Sequence, residues 1–278
     1  MFVALHSAPE GFFKTGPPHR AEELFDLVET AMRLGFKCFQ IGPTCNFTDI
    51  DGDSLRVILD KYGMERNVHV GGLYDAEKFA VSEAEWKRAQ NDLHRGIELS
   101  TKVSSPLVSI HPPFFKSTNW HDDNLVSQAK TRFFEITEEE LDFAHCNGVK
   151  LALESFCYPP FIFTDLLDFM QFVSHFHSSE LGILFEVGHL YQARFNLDEA
   201  INTFGHRIFD VHVHNATLHD DYESATHLPI GRGKIDFTKV ITSLRKVKYD
   251  GWLTLEIRGN ESEIFESRKL LEKLIAAH

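Results

Sequence analysis

At 278 residues with 43% apolar side chains, the chain is long enough to bury the core of one α/β barrel, which takes about 250 residues. A formal net charge of −13 argues against a broad nucleic-acid-binding surface. No apolar stretch approaches the roughly 20 residues of a membrane span. With no basic-then-apolar leader and four widely spaced cysteines (Cys38, Cys45, Cys146, Cys157) lacking a CxxC pair, the expectation is a cytoplasmic protein with reduced thiols.

In chain order, short apolar runs read as strands over residues 2–6, 36–41, 67–71, 107–111, 150–154, 181–186, 208–214 and 252–257. Helical periodicity occupies 21–34, 82–101, 123–146, 164–175 and 261–277 between and after them. Gly35 and Gly148 stand where glycines end helices. Asp236 stands at an N-cap before Phe237. Eight strands alternating with helices predict a parallel sheet covered by helices. No GxGxxG follows the first strand, as a dinucleotide fold would want. The predicted fold is therefore a single (β/α)8 TIM barrel spanning 1–278 as one domain. Loops over 42–52, 112–122 and 215–233 are long enough to shape a pocket.

Active sites of such barrels lie at the C-terminal ends of the strands. Seven of the eight predicted strands carry a histidine or glutamate there: His6, His69, His111, Glu154, Glu186, His212 or His214, and Glu256. The remaining strand offers Gln40. A carboxylate after an apolar run is costly to place without a partner. Three carboxylates with one imidazole suit a single divalent ion (Mn, Mg, Co, Fe or Zn) with positions left open for substrate oxygens.

The most specific stretch is His212-Val213-His214-Asn215 followed by His227-Leu228-Pro229-Ile230-Gly231-Arg232-Gly233-Lys234-Ile235-Asp236-Phe237. With Glu186-Val187-Gly188-His189, similar to an Asp-x-Gly-His segment, and with His6 and Phe39-Gln40-Ile41, it resembles the xylose isomerase-like TIM-barrel superfamily. That superfamily holds sugar isomerases, ketose 3-epimerases, inositol-catabolism enzymes and the endonuclease IV family. The resemblance spans nearly the whole chain. It implies a metal held by Glu154, Glu186, His212 and Glu256, with His214 competing with His212 for the ligand position; from strand alternation the two rings are expected on opposite faces, one toward the barrel axis and the other packed beneath a helix. It implies that Glu154 and Glu256 also transfer protons, and that His189 contacts substrate, with His111, His214 and His227 as further substrate contacts. Two departures stand out. Glu186 replaces the usual aspartate. Ala225 replaces an aspartate that the trinuclear zinc site of the endonuclease IV family needs.

The expected activity is isomerisation or epimerisation of a small sugar or polyol-derived ketone through an enediolate, the metal chelating adjacent hydroxyl and carbonyl oxygens. Dehydration by the same site stays open. The rivals are phosphodiester hydrolysis of abasic DNA, weakened by Ala225 and the acidic charge, and a non-catalytic metal-binding barrel. Phe12, Phe13, Phe114, Phe115 and Trp120, in predicted loops, form either an apolar wall over the substrate or a homo-oligomer interface. Gly231-Arg232-Gly233-Lys234 reads as a phosphate cradle or a plain turn.

Overall fold

The apolar runs fold as strands almost where the sequence places them. The structure, a computed structural model, describes residues 1–7, 19–43, 47–48, 50–72, 74–218 and 225–277. Its strands are β1 (Phe2–His6), β2 (His19–Arg20), β3 (Cys38–Ile41), β4 (Phe47–Thr48), β5 (Glu65–Gly71), β6 (Leu107–Ile110), β7 (Lys150–Glu154), β8 (Leu181–Glu186), β9 (Ile208–Val213) and β10 (Trp252–Leu255). Eight of them close a parallel barrel in the order β1-β10-β9-β8-β7-β6-β5-β3, while β2 and β4 pair as a separate two-stranded sheet. Closure comes from β1, which hydrogen-bonds to β10 on one side and β3 on the other.

Both faces of every barrel strand are covered, and alternation along each strand assigns the faces. Val68 and Val70, Leu151 and Leu153, Ile183 and Phe185, Val211 and Val213, and Leu253 and Leu255 are all buried and join the main core. That core includes helices Ala21–Arg33, Glu83–Val103, Asp123–Cys146, Phe237–Lys246 and Glu261–Ala277. Phe185 is fully buried and meets Phe204 at 5.8 Å between ring centroids. Phe185→Ala is expected to cost about 3–5 kcal/mol, read as a lower urea midpoint at unchanged slope.

The alternate positions face the lumen. At its floor Leu107, Ala152 and Leu184 form a small apolar cluster. Above it the filling is polar, with Gln40, Asn67, Ser109, Asp210 and Thr254 all buried. Gln40 Nε2 donates to Asp210 Oδ2 at 3.0 Å. Strands β3 and β9 are separated by β1 and β10, so this bond crosses the lumen.

Helix punctuation follows the sequence. Gly35 and Gly148 have φ of +83° and +70°, the left-handed conformation that glycine supplies at a helix C-terminus. Asp236 caps its helix by accepting from Thr238 N and Lys239 N. Shorter helices Gly52–Lys61, Ala76–Val81, Val187–Gln192 and Leu197–Phe204 fill connections where a helix is expected after each strand but its bounds are not set by the sequence. Cys38 and Cys157 are buried, and burial pushes both thiols up to about 12, which makes them inert. Cys146 is exposed, and Cys45 lies outside the described residues. Among the described residues no helix is long and apolar enough to cross a membrane.

Candidate functional site

The C-terminal ends of the barrel strands bring the predicted histidines and glutamates together in one buried pocket. Glu186, the last residue of β8, is the hub. Its Oε2 lies 3.1 Å from His212 Nδ1, and its Oε1 lies 2.9 Å from His214 Nε2. His212 Nδ1 is also 3.1 Å from Glu256 Oε2. On the other side Glu154 Oε2 is 2.8 Å from His111 Nε2 and 3.9 Å from His69 Nε2. His6 packs edge-on against His69 and His212, with ring centroids 5.4 and 5.6 Å apart. Glu154 and Glu186 are almost wholly buried, whereas the Glu256 side chain is 21% exposed, so Glu256 faces the open side.

The donor set fits a divalent cation. Glu154, Glu186 and His212 each offer an atom within 4.8 Å of the others. Glu154 Oε2, Glu186 Oε2 and His212 Nδ1 are buried without a hydrogen-bond partner despite these close approaches. Buried polar atoms left unsatisfied cost about 1–3 kcal/mol each, more when charged. A cation accepting their lone pairs removes that cost. Two further groups, His69–His111–Glu154 and His189–His214–His227, flank the central one.

The hydrogen bonds of the individual rings decide which can ligate. His227 N–H donates to His214 Nδ1 at 2.9 Å, which requires a lone pair there and puts the neutral ring's hydrogen on Nε2, facing Glu186. A longer contact of 3.2 Å from His214 Nδ1 to the Asn215 carbonyl is the weaker of the two. His214 Nε2 thus carries the hydrogen beside Glu186 Oε1, 2.9 Å away, although it makes no well-aligned hydrogen bond there. His69 Nδ1 meets Ser109 Oγ at 2.9 Å, and that hydroxyl donates to the Val68 carbonyl. This leaves His69 Nε2 bare toward Glu154.

Electrostatics separate the groups. Burial lowers His6 to about 4 and His189 to about 3, and lowers His69 and His227 as well. Burial also opposes a proton on His212, but the carboxylates of Glu256 and Glu186 outweigh it and hold His212 well above the usual range. The converse holds for Glu186 and Glu256. Burial favours their neutral forms, yet the facing imidazoles keep both well below the usual carboxylate range. Glu154 is pushed up by burial. The two candidate proton-transfer carboxylates therefore sit in opposed environments, as acid–base pairs do.

Several expectations are corrected here. The His214 ring packs against the helix Val187–Gln192 as well as reaching the site, so the two rings do not lie on the opposite faces expected. Two residues apart, they share a strand face and both reach Glu186. Room for the His214 ring comes from Gly188, where a Cβ would lie 1.9 Å from His214 Cε1. Gly188→Ala is expected to cost about 1–3 kcal/mol through overpacking and to displace the His214 ring, read by thermal unfolding and by the His214 NMR resonances. Phe115 is buried core rather than a wall, and Trp120 packs on His121. Phe114 is half-buried and leans on Phe161. Phe156, not among those five, touches His111 at 5.2 Å and His189 at 5.3 Å and is stacked by Phe161 at 4.2 Å. Its position directly after Glu154 and Ser155 was its only sequence signal. Phe12 and Phe13 lie outside the described residues. The Gly231–Lys234 stretch is a turn. Arg232 pairs with Glu263, and a Cβ on Gly233 would meet Asn215 Oδ1 at 2.2 Å and the Ala216 carbonyl at 2.5 Å.

That same turn folds the loop back on β9. Asn215 and Leu228 exchange backbone hydrogen bonds of 2.8 and 2.9 Å. His227 sits at φ +50°, a conformation uncommon outside glycine and held by its surroundings. Its Nδ1 meets the Glu256 carbonyl at 3.1 Å. The long loop after β9 thereby delivers both the His227 ring and the N–H that orients His214.

Residues 28–274 match the family described as xylose isomerase-like TIM barrel. An uncharacterized protein of Methanocaldococcus jannaschii is 28% identical over 228 residues, covering 80% of this chain and 73% of its own. Among solved structures, a D-tagatose 3-epimerase-like protein superimposes with a TM-score of 0.82 at 23% identity, covering 100% of this chain and 98% of its own. D-psicose 3-epimerase from Clostridium cellulolyticum H10 does so with a TM-score of 0.77 at 14% identity, covering 99% of each chain.

Proposed function

Because the chain belongs to the xylose isomerase-like TIM-barrel family, we propose that it is a divalent-metal-dependent isomerase or epimerase of a small sugar or polyol-derived ketone. The observation that carries this reading is the convergence of Glu154, Glu186, His212 and Glu256, with buried atoms of the first three lacking hydrogen-bond partners. Those four residues would hold the ion, and His212 rather than His214 is the imidazole ligand, since it is His212 that offers a nitrogen within 4.8 Å of oxygens of both Glu154 and Glu186. Three oxygen donors and one nitrogen favour Mn, Mg, Co or Fe over the thiolate-loving ions, with Zn also accommodated. The similar structures, a D-tagatose 3-epimerase-like protein and a D-psicose 3-epimerase, support a ketose as substrate.

A divalent ion held there supplies Lewis acidity to the carbonyl and adjacent hydroxyl oxygens of the substrate. The chain does the rest. Glu256, ionised and open to the pocket, removes the proton from the carbon beside the carbonyl. Glu154, on the far side and pushed toward its acid form, returns one to the opposite face. His189 and His111 present polar edges to the sugar hydroxyls. Phe156 between them excludes water and packs on the carbon skeleton.

A second reading, phosphodiester hydrolysis at abasic DNA, is favoured by the His69–His111–Glu154 group beside the central one. Against it stand Ala225, the net charge of −13 and the hydrogen on His214 Nε2, which denies the His189–His214–His227 group one of its lone pairs. Native mass spectrometry of metal-loaded protein, run with an abasic-duplex nicking assay, separates the two. One ion per chain and no nicking fits the isomerase. Two or three ions with nicking replaces it by the hydrolase.

A further inference from the structure

Beneath the carboxylates lies a hydrogen-bonded chain whose direction can be read from atom types alone. Asp210, fully buried on β9, receives Val211 N–H at 2.8 Å, Thr254 Oγ1 at 3.0 Å, Gln40 Nε2 at 3.0 Å and Asn67 Nδ2 at 3.4 Å. Val211 N–H, which can only donate, and the Thr254 hydroxyl occupy Oδ1, while Gln40 and Asn67 both set an amide end against Oδ2. A carboxylate oxygen can accept from both amides, whereas a carboxyl hydrogen there could serve only one. The shared contact therefore favours Asp210 as the acceptor, even though burial pushes its carboxyl up. An acceptor at that point fixes the Gln40 amide. Its NH2 must face Asp210, because the flipped amide would set two oxygens against each other. Gln40 Oε1 is thereby turned to His212 Nε2, 2.8 Å away. An amide oxygen can only accept, so His212 Nε2 carries a hydrogen and Nδ1 is the nitrogen turned toward Glu186 and Glu256, 3.1 Å from each.

We propose that Gln40 and Asp210 are positioning residues for the metal centre: reaching across the barrel lumen, they lock the tautomer and tilt of His212 so that its Nδ1 lone pair is presented to the cation. This rests on the metal-site reading above and adds to it. The partner that orients a ligating imidazole is ordinarily a carboxylate, carbonyl or water in direct contact. Here the carboxylate acts at one remove, through an amide whose two ends are different. The arrangement also divides the labour between two imidazoles on one strand. The backbone N–H of His227 sets the hydrogen of His214 on Nε2, beside Glu186, while Gln40 makes His212 a ligand. Glu186, longer by a methylene than aspartate, reaches both rings. It also explains why the lumen carries polar residues at a level where barrels of this kind usually pack branched apolar ones.

The test uses intact protein and two readouts besides turnover. Mn(II) dissociation constants come from electron paramagnetic resonance. The protonated nitrogen of His212 comes from long-range 1H–15N correlation on Zn(II)-loaded protein. Wild type is expected to show hydrogen on Nε2 of His212. Gln40→Met removes the acceptor at similar volume and is expected to weaken Mn(II) binding by roughly 10- to 100-fold, with His212 shifted toward the other tautomer. Gln40→Glu sets two carboxylates together and is expected to weaken binding as well. Asp210→Asn combined with Gln40→Glu restores a donor–acceptor pair in the right order, and is expected to recover most of the lost affinity. This double variant also distinguishes positioning from a general need for glutamine in the core. Mn(II) affinity within threefold of wild type in Gln40→Met, hydrogen on Nδ1 of His212 in loaded wild type, or no recovery in the double variant overturns the proposal. Wild-type protein that binds no Mn(II) overturns the metal-site reading itself, and the proposal with it.

Discussion

Replacing Glu256 by glutamine is expected to lower turnover on the best ketose by roughly 100- to 10,000-fold, the range that a positioned general base contributes. Glutamine keeps the size of the side chain and one oxygen, so the Glu154, Glu186 and His212 atoms still converge. Metal content is therefore expected to stay near wild type, and the Michaelis constant to change by only a few fold. That split matters because Glu256 is assigned two roles. A ligand alone would lose metal and turnover together, whereas a base loses turnover with the metal retained. Steady-state kinetics on metal-loaded protein, with the metal counted in the same sample, reads the difference. Activity within tenfold of wild type removes Glu256 from proton transfer.

The largest effect on the metal is expected from Glu186→Ala. Glu186 is the one carboxylate that reaches both His212 and His214, and it is fully buried. Its removal takes away a ligand, leaves buried His214 without the carboxylate beside it and leaves His212 with Glu256 alone. Metal affinity is expected to fall by more than the roughly 100-fold that loss of an outer partner can cause. Glu186→Asp, shorter by about 1.5 Å, keeps the carboxylate but is expected to reach only one of the two rings. It is expected to bind metal within about tenfold of wild type. Equilibrium titration of the three proteins with Mn(II) checks the order wild type, Glu186→Asp, Glu186→Ala. An alanine variant that binds as tightly as wild type would place the ion elsewhere in the pocket.

Much of this site was legible because the barrel imposes two simple rules. Strands buried on both faces read as continuous apolar runs, so β1, β7 and β8 could be bounded to the residue. Function gathers at their C-terminal ends, so a histidine or glutamate closing a run is conspicuous. The residues that the sequence hid are those inside the runs. Asp210 and Thr254 lie mid-strand and look like interruptions of an apolar pattern. Only the closed barrel reveals that Asp210 faces Gln40 from three strands away. Phe156 and Phe161 were hidden for another reason. They belong to the irregular stretch after β7, whose path is set by backbone contacts to residues 113–115, and no local period announces such contacts. The choice between His212 and His214 needed hydrogen-bond partners 172 and 13 residues away in sequence.

A pocket in which Glu256 and Glu154 transfer protons exchanges a proton on the carbon beside a ketose carbonyl with solvent. 1H NMR of a panel of ketopentoses and ketohexoses, incubated in D2O with Mn(II)- or Mg(II)-loaded protein and quenched at intervals, reads that exchange. Loss of one carbon-bound proton signal, adjacent to the carbonyl, is expected in at least one ketose, with the rate cut at least 100-fold by Glu256→Gln. A loaded protein that washes no deuterium into any of them would rule out the proposed proton transfer.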